Sequence, residues 1–282
     1  MKVLVIGGHG FLGRKLIESL VRMNVETSSI VRSISSTQVE PCQYILVDEI
    51  INMPTNELPK FNVIINVAMK RSSSASPVSN EIVHQLNFVI PLEIIRRTAL
   101  DSTLVVNTST YIQNFQGVKG STVESYGASK QLLTDAIEQD ALKGFYNVID
   151  LFLFTLYGPN DRPTHLIPLI LSALKSESAL ALTGGDQLLN LLYLEDAVDS
   201  IIKAVGGFYS GYNPYHLWRP EYLTVKELVL AMEGLAGKKL QAKWGSISYS
   251  GHEMFEPWPI PFKQFPGMLL GTTLLEGLRK AM

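Results

Sequence analysis

Three glycines spaced by three, Gly7, Gly10 and Gly13, directly follow the apolar run Val3-Leu4-Val5-Ile6 and precede a segment of helical period, Leu12, Leu16, Ile17, Leu20 and Val21. A glycine loop between strand and helix lets the chain turn tightly. It also brings backbone amides at the helix N-terminus close to an anion such as a pyrophosphate. The stretches that follow keep the same alternation. Strands are predicted near 2–7, 26–31, 44–47, 62–67, 103–108 and 147–154. Helices are predicted between them over 11–23, 82–100 and 126–142, with Pro91 as a kink in the second. This pattern builds an α/β fold, a doubly wound parallel sheet that receives its ligand at the carboxyl ends of its strands.

Beyond Gly158-Pro159 the character shifts to helices with short strands. A helix over 166–175, a turn at Gly184-Gly185-Asp186, the run Leu191-Leu192-Tyr193 and a helix over 196–205 follow in order. The expected division is a dinucleotide-binding body over 1–160 and a mainly substrate-binding region over 161–282. A strand near 215–218, Tyr215-His216-Leu217-Trp218, returns from the second part to the first sheet. Near the end, Trp244, Phe255, Trp258, Phe262 and Phe265 lie among prolines before a final helix over 274–281. The segment 254–268 has two readings, a lid that adds Phe255 or Trp258 to the substrate pocket and a strap that packs the last helix onto the body. The tract Ser72-Ser73-Ser74-Ala75-Ser76 reads as a loop after the fourth strand.

A hydrophobic content of 46% with 18% charged residues in 282 is that of a soluble globular chain with a sizeable core. Net charge is −2 with both signs interspersed, which argues against nucleic acid as a partner. Cys42 is the only cysteine, so a disulfide framework and a cysteine metal knuckle are excluded and a reducing cytoplasm fits. The five histidines lack ligand spacing, and no metal is expected. The first apolar run is too short for a signal-peptide core, and 148–157 is broken by Asp150, so neither export nor a membrane partner is expected.

The chemistry centres on Tyr126 and Lys130 in Ser125-Tyr126-Gly127-Ala128-Ser129-Lys130. At i and i+4 they share a helix face. An ammonium near a phenol favours the phenolate, so the pair forms a proton donor and acceptor for a carbonyl or alcohol. At the end of the fifth strand stands a hydroxyl cluster, Asn107-Thr108-Ser109-Thr110-Tyr111, in which Ser109 is the expected donor to a developing oxyanion. The second strand ends at Val31-Arg32-Ser33, about 20 residues past the glycine loop, where an NAD enzyme places an acid on the ribose. Arg32 offers a planar cation to a 2′-phosphate instead, with Ser33 and Ser35 as neutral donors, so NADP(H) is expected ahead of NAD. Asp48, after the third strand, reads as an acceptor for adenine or as a helix cap.

These motifs together resemble the extended short-chain dehydrogenase/reductase family, also called the NAD-dependent epimerase/dehydratase family, over nearly the whole chain. Asn66-Val67-Ala68, Asn87 and Tyr157-Gly158-Pro159 match its segments. Gly184-Gly185-Asp186-Gln187 through Tyr193-Leu194-Glu195-Asp196, Thr224 to Leu228 and Leu274 to Leu278 match further ones. The resemblance implies a Rossmann-type doubly wound parallel sheet with a small C-terminal substrate-binding subdomain. It implies Ser109, Tyr126 and Lys130 as catalytic residues. Gly7, Gly10, Phe11, Leu12, Gly13, Arg32, Ser33, Asp48, Val67, Ala68, Asn87, Tyr126 and Lys130 are implied around the dinucleotide. It also implies a homodimer paired through the helices that hold Asn87 and Tyr126.

The departures from that pattern are informative. Dehydratases of the family carry Asp-Glu just after the hydroxyl donor, where Thr110 and Tyr111 stand here, so dehydration is disfavoured. Arginine and asparagine positions that hold a nucleoside diphosphate are Leu189, Phe152 and Thr155 here, which leaves Arg162, Arg219 or Lys243 to take that part. The function expected from the sequence is an NADP(H)-dependent ketoreductase acting on a sugar nucleotide, most plausibly a 4-keto-deoxysugar. The alternatives are an NAD-dependent sugar-nucleotide epimerase and a non-catalytic dinucleotide-sensing protein.

Overall fold

A computed structural model describes residues 1–34, 38–71, 76–122 and 124–282. The chain opens with β1 (Lys2–Ile6), α1 (Phe11–Arg22), β2 (Glu26–Val31), β3 (Gln43–Leu46), α2 (Val47–Asn52) and β4 (Val63–Asn66). It continues through α3 (Pro77–His84), a π-helical turn (Gln85–Val89), α4 (Ile90–Thr98), β5 (Leu104–Thr110), a 3-10 stretch (Tyr111–Gly117), α5 (Ser125–Leu142) and β6 (Asn147–Leu153). Then come β7 (Thr155–Tyr157), α6 (Leu166–Ser176), β8 (Ala179–Ala181), β9 (Leu188–Leu189), β10 (Leu191–Tyr193), α7 (Leu194–Val205) and β11 (Tyr212–Leu217). The last elements are β12 (Leu223–Thr224), α8 (Val225–Ala236), β13 (Gln241–Lys243) and α9 (Leu274–Ala281).

Seven strands form one parallel sheet in the order β11-β6-β5-β4-β1-β2-β3. The order reverses beside β1, so the crevice at the carboxyl end of β1 is where such a sheet receives a ligand. Both faces are covered, which explains why the central strands are apolar on both sides, with Leu4, Ile64, Ile65, Val105 and Val106 all fully buried. On one face Leu12, Leu16, Ile17 and Leu20 of α1 pack with Leu194, Ala197, Val198 and Ile201 of α7. On the other, Ile50, Leu92, Ile94 and Ile95 pack with Leu133, Ile137 and Ala141 of α5. A third cluster, Ile170, Leu174, Leu191, Leu228, Met232 and Leu278, binds α6, α8 and α9 into a smaller layer.

The second part of the chain returns to the sheet through one strand, β11. Tyr212–Leu217 pairs in parallel with β6, longer at its start than the run expected near 215–218. Helix α7 also belongs to the body, since its apolar face covers the sheet beside α1.

The helical run expected over 82–100 starts earlier, because Ser76 caps α3 by accepting from the Ser79 N–H at 3.2 Å and Pro77 follows at the first turn. It also widens into a π turn over Gln85–Val89. Pro91 has no N–H to give the Asn87 carbonyl and its ring crowds that group, so the turn opens ahead of it. Asn87 is thereby turned into the interior.

The aromatic segment near the C-terminus is bonded and packed to the body. Backbone bonds pin it, with Leu188 N–H donating to the Met254 carbonyl, His216 N–H to Lys263 and Phe265 N–H to His216. Trp258 is 9% exposed and meets Phe115 edge-on at 5.1 Å, in a cluster with Phe154 and Met254. Phe255 is exposed and meets Tyr249 instead. Trp258→Ala is therefore expected to destabilise the fold by about 3 kcal/mol in urea unfolding, because the cavity cannot close against β6 and the 3-10 stretch. Unchanged unfolding with altered ligand binding would make the segment a lid.

Candidate active site

Gly7 has φ +96°, a conformation that L side chains rarely adopt, and a Cβ there would lie 2.8 Å from the Ala68 Cα. The loop after β1 is thus pressed against the strand end of β4. One turn into α1, a Cβ on Gly13 would collide with the Gly7 carbonyl oxygen, so Gly13 lets the helix sit close behind the loop. The N-terminus of α1 carries no side-chain cap and no acid in its first turn. Its free N–H groups and positive end suit a bound phosphate, so the residues fit a dinucleotide.

A cleft of about 720 Å³ runs along the carboxyl edge of the sheet. Gly7, Gly10, Phe11, Leu12, Arg32 and Ser33 line one end, Val67 and Ala68 the middle, and Ser109, Thr110, Tyr111, Tyr126 and Lys130 the other. Three expected cofactor residues lie outside the lining. Gly13 stands behind the loop, as above. Asp48 is exposed in the first turn of α2, because that helix begins directly after β3 and carries the side chain away from the cleft; Val47 lines it instead. Asn87 is buried, accepting from the Lys70 N–H and donating to the Lys70 carbonyl, each at 2.8 Å, and donating to Ser129 Oγ at 3.0 Å. It fixes the chain after Ala68 to α5. Ser35 and residues 72–75 fall outside the described residues.

Lys130 is buried, and its Nζ donates to the carbonyls of Ala68 at 2.9 Å and Thr108 at 2.8 Å. Burial pushes its pKa down to about 8, and the Asp150 carboxylate opposes that fall. The phenol of Tyr126 is raised, by burial, rather than lowered. The cation acting on it is Arg71, whose Cζ lies 5.0 Å from the ring centroid, while Lys130 turns to its two carbonyls. Sequence reasoning missed Arg71; the signal was its place three residues after Ala68, at the end of the strand-four segment.

Ser109 also stands differently from expectation. Its Oγ accepts from Asn107 Nδ2 at 3.1 Å and shares a hydrogen bond with Thr134 Oγ1 at 3.0 Å, two helical turns beyond Tyr126. The hydroxyl neighbouring the Tyr126 phenol is that of Thr110. Strand β5 extends to Thr110, and side chains alternate along it, so Ser109 and Asn107 share a face under α5 while Thr110 falls at the mouth of the cleft. Tyr111 stacks on Phe154 at 4.6 Å to form an aromatic wall beside them.

Of the three cations considered for a diphosphate, Arg162 lines the cleft. Arg219 is held in the interior by the Thr272 carbonyl, Asp196 and Glu221. Lys243 is exposed on β13, away from the cleft lining.

Fold and cleft define a Rossmann-type α/β protein with its ligand groove at the carboxyl edge of the sheet. The sequence model of the NAD dependent epimerase/dehydratase family matches residues 3–216, and the chain belongs to that family. A CDP-abequose synthase of Yersinia pseudotuberculosis is 26% identical over 274 residues, covering 91% of this chain and 92% of that protein. A CDP-abequose synthase of Salmonella muenchen is 20% identical over 266 residues, covering 90% and 87%. Among solved structures, Thermus thermophilus UDP-glucose 4-epimerase with NAD has a TM-score of 0.83 at 17% identity, covering all of this chain and 97% of that one. UDP-glucuronic acid 4-epimerase of Bacillus cereus has the same TM-score and identity, covering 99% and 97%.

The two neighbouring hydroxyls on β5 separate by experiment. Ser109→Ala is expected to cost about 1–2 kcal/mol of folding stability, since Asn107 and Thr134 each lose a buried partner. Thr110→Val is expected to stay within about 1 kcal/mol of the wild type in the same urea titration.

Proposed function

We propose that the protein is an NADP(H)-dependent reductase of a keto group on a sugar nucleotide. The observation that carries this reading is one continuous cleft with the glycine loop and Arg32 at one end and Tyr126, Thr110 and Lys130 at the other. In this reading Gly7, Gly10 and the α1 N-terminus bind the dinucleotide phosphates, and Arg32 with Ser33 binds a 2′-phosphate. A bound nicotinamide supplies the hydride for the carbonyl carbon. Tyr126 donates its phenolic proton to the carbonyl oxygen, Thr110 hydrogen-bonds the same oxygen, and Arg71 stabilises the phenolate left behind. Lys130 orients the nicotinamide ribose.

The substrate assignment draws support from the names of the relatives, synthases of a CDP-linked sugar. Arg162 is the cation of the cleft suited to the diphosphate, in place of the arginine that Leu189 replaces. Pairing into a homodimer through the helical segment that holds Asn87 and through α5 belongs to the same reading, with Val89 and Leu132 exposed on those two elements. A cytoplasmic setting is consistent with it.

Tyr126→Phe is expected to abolish turnover while NADPH affinity stays within a few fold, because the ring still packs but the transferable proton is gone. Thr110→Val should lower kcat by about 10²-fold, the scale of losing one oxyanion donor, and more than Ser109→Ala does. Unchanged kcat in Thr110→Val would return the role to Ser109.

Cofactor choice is read from the dissociation constants of NADPH and NADH. The wild type should favour NADPH, and Arg32→Ala should remove about 1.5–3 kcal/mol of that preference, the worth of a hydrogen bond to a charged group. A wild type that prefers NADH and retains nicotinamide through gel filtration would instead make it an epimerase.

A further inference from the structure

Of the five histidines, His216 alone is buried, with 1% of its surface exposed. It lies near the end of β11, the edge strand of the sheet. Its ring sits in a box of three phenylalanines. The centroids of Phe152, Phe262 and Phe154 are 5.3, 5.4 and 6.2 Å away, and Phe262 stacks on the imidazole at an interplanar angle of 29°. Nδ1 has no hydrogen-bond partner among the described residues, and the ring's hydrogen bond goes to the Phe262 backbone. The same residue holds the aromatic segment by its main chain. Its N–H donates to the Lys263 carbonyl at 2.9 Å, its carbonyl accepts from the Phe265 N–H at 3.0 Å, and it pairs with Gln264 in a parallel bridge.

This environment suits a neutral imidazole. A neutral ring packs as an aromatic and leaves one nitrogen unpaired. A protonated ring would carry a second N–H donor without an acceptor, and a charge withdrawn from water. The groups packed against it do not offset that charge. Phe152 and Phe154, from β6 and the residue after it, are apolar. On the aromatic segment Phe262 and Gln264 are neutral, and the exposed Lys263 is itself a cation. Lys119 adds another, its Nζ 5.6 Å from the Phe262 centroid. Burial pushes the pKa of His216 down to about 4, against the opposing bond to Phe262.

We propose that His216 is an acid-sensitive latch: as a neutral ring it fastens residues 259–268 to the edge of the sheet, and as a cation it leaves its box and releases them. The release reaches the cleft, because Phe154 belongs both to the box and to the cleft lining, where Tyr111 stacks on it at 4.6 Å. Trp258, just ahead of the segment, packs against the same Tyr111 at 5.9 Å.

The direction with pH follows from the lowered value. A free histidine titrates near 6.5 and the enclosed ring near 4, so between these values the released state binds more protons than the latched one. The latch holds fully above the upper value, and its hold declines as pH falls towards the lower. With one proton taken up on release, the ratio of latched to released chain falls by at most about tenfold per pH unit.

The test is urea unfolding of wild type and His216→Phe at about pH 7 and about pH 5.5, together with hydrogen exchange of the wild type at both. Phenylalanine keeps an aromatic ring in the box and takes no proton. Other groups that titrate in this range do so in both proteins, so the comparison isolates the ring. On acidification the folding equilibrium constant of the wild type should fall roughly tenfold further than that of the variant. Equal falls in the two would overturn the proposal. In the exchange experiment, corrected for the intrinsic rate at each pH, residues 259–268 should be less protected than β5 and should lose roughly tenfold of their protection between the two pH values. This measurement needs only the wild type, so it decides the matter if His216→Phe does not fold. Protection that is constant with pH would overturn the latch. Protection equal to that of β5 would overturn it as well, because the segment would then open only with the whole fold.

Discussion

The burial of Lys130 is the constraint on which the rest of the site depends. An ammonium withdrawn from water must be met by oxygen atoms, and here two backbone carbonyls from different strand ends supply them. Those carbonyls are available only because a parallel sheet ends β4 and β5 on the same side. They stay in place because α5 is tied to the loop after β4 through Asn87 and Ser129, and to α4 through the Arg96 pair with Asp140 at 2.7 Å. The helix that carries the Tyr126 phenol is thus located by contacts several residues removed from it. This explains why its inner face carries Ser129, Lys130 and Thr134 among Leu133 and Ile137.

The sheet edge was legible in the sequence because its signals are local. Apolar runs bounded by glycines and polar turns mark β1 to β6, and the Gly7, Gly10, Gly13 spacing fixes which edge receives a ligand. The Tyr126 and Lys130 pair is a helix-period signal of the same kind. The contacts that the sequence did not reveal are those set by parity and by turns. Whether Ser109 or Thr110 meets the phenol depends on how far β5 extends before it bends, which composition does not reveal. The turn of Asp48 away from the cleft depends on α2 starting without a loop. Arg71 reaches Tyr126 across a distance in sequence that no periodicity spans.

A line of hydrogen-bonded polar side chains across the sheet shows the same limit from the other side. Asn66, Asn107 and Asp150 each interrupt an apolar strand, the first two near the ends of their expected strands and Asp150 in mid-strand. Their meaning comes from register, because a shift of one residue in any pairing would turn a member to the opposite face and leave two buried polar groups without partners. The register is held by the strands themselves, whose apolar members on both faces allow one alignment with α1 and α7 on one side and α5 on the other.

The smaller layer completes the cleft. Helix α6 brings Leu166 and Ile167 to the lining, and β9 and β10 bring Leu189 and Leu191. Together with Tyr111 stacked on Phe154, these give the cleft an apolar wall. Trp258 backs that wall from behind, so the C-terminal segment acts on the pocket through packing. An apolar wall next to a phenol keeps water from its oxygen and raises the weight of each charge nearby. The half-exposed Arg71 is screened by solvent, so its pull on the Tyr126 phenol is weaker than the same contact would give where water is excluded.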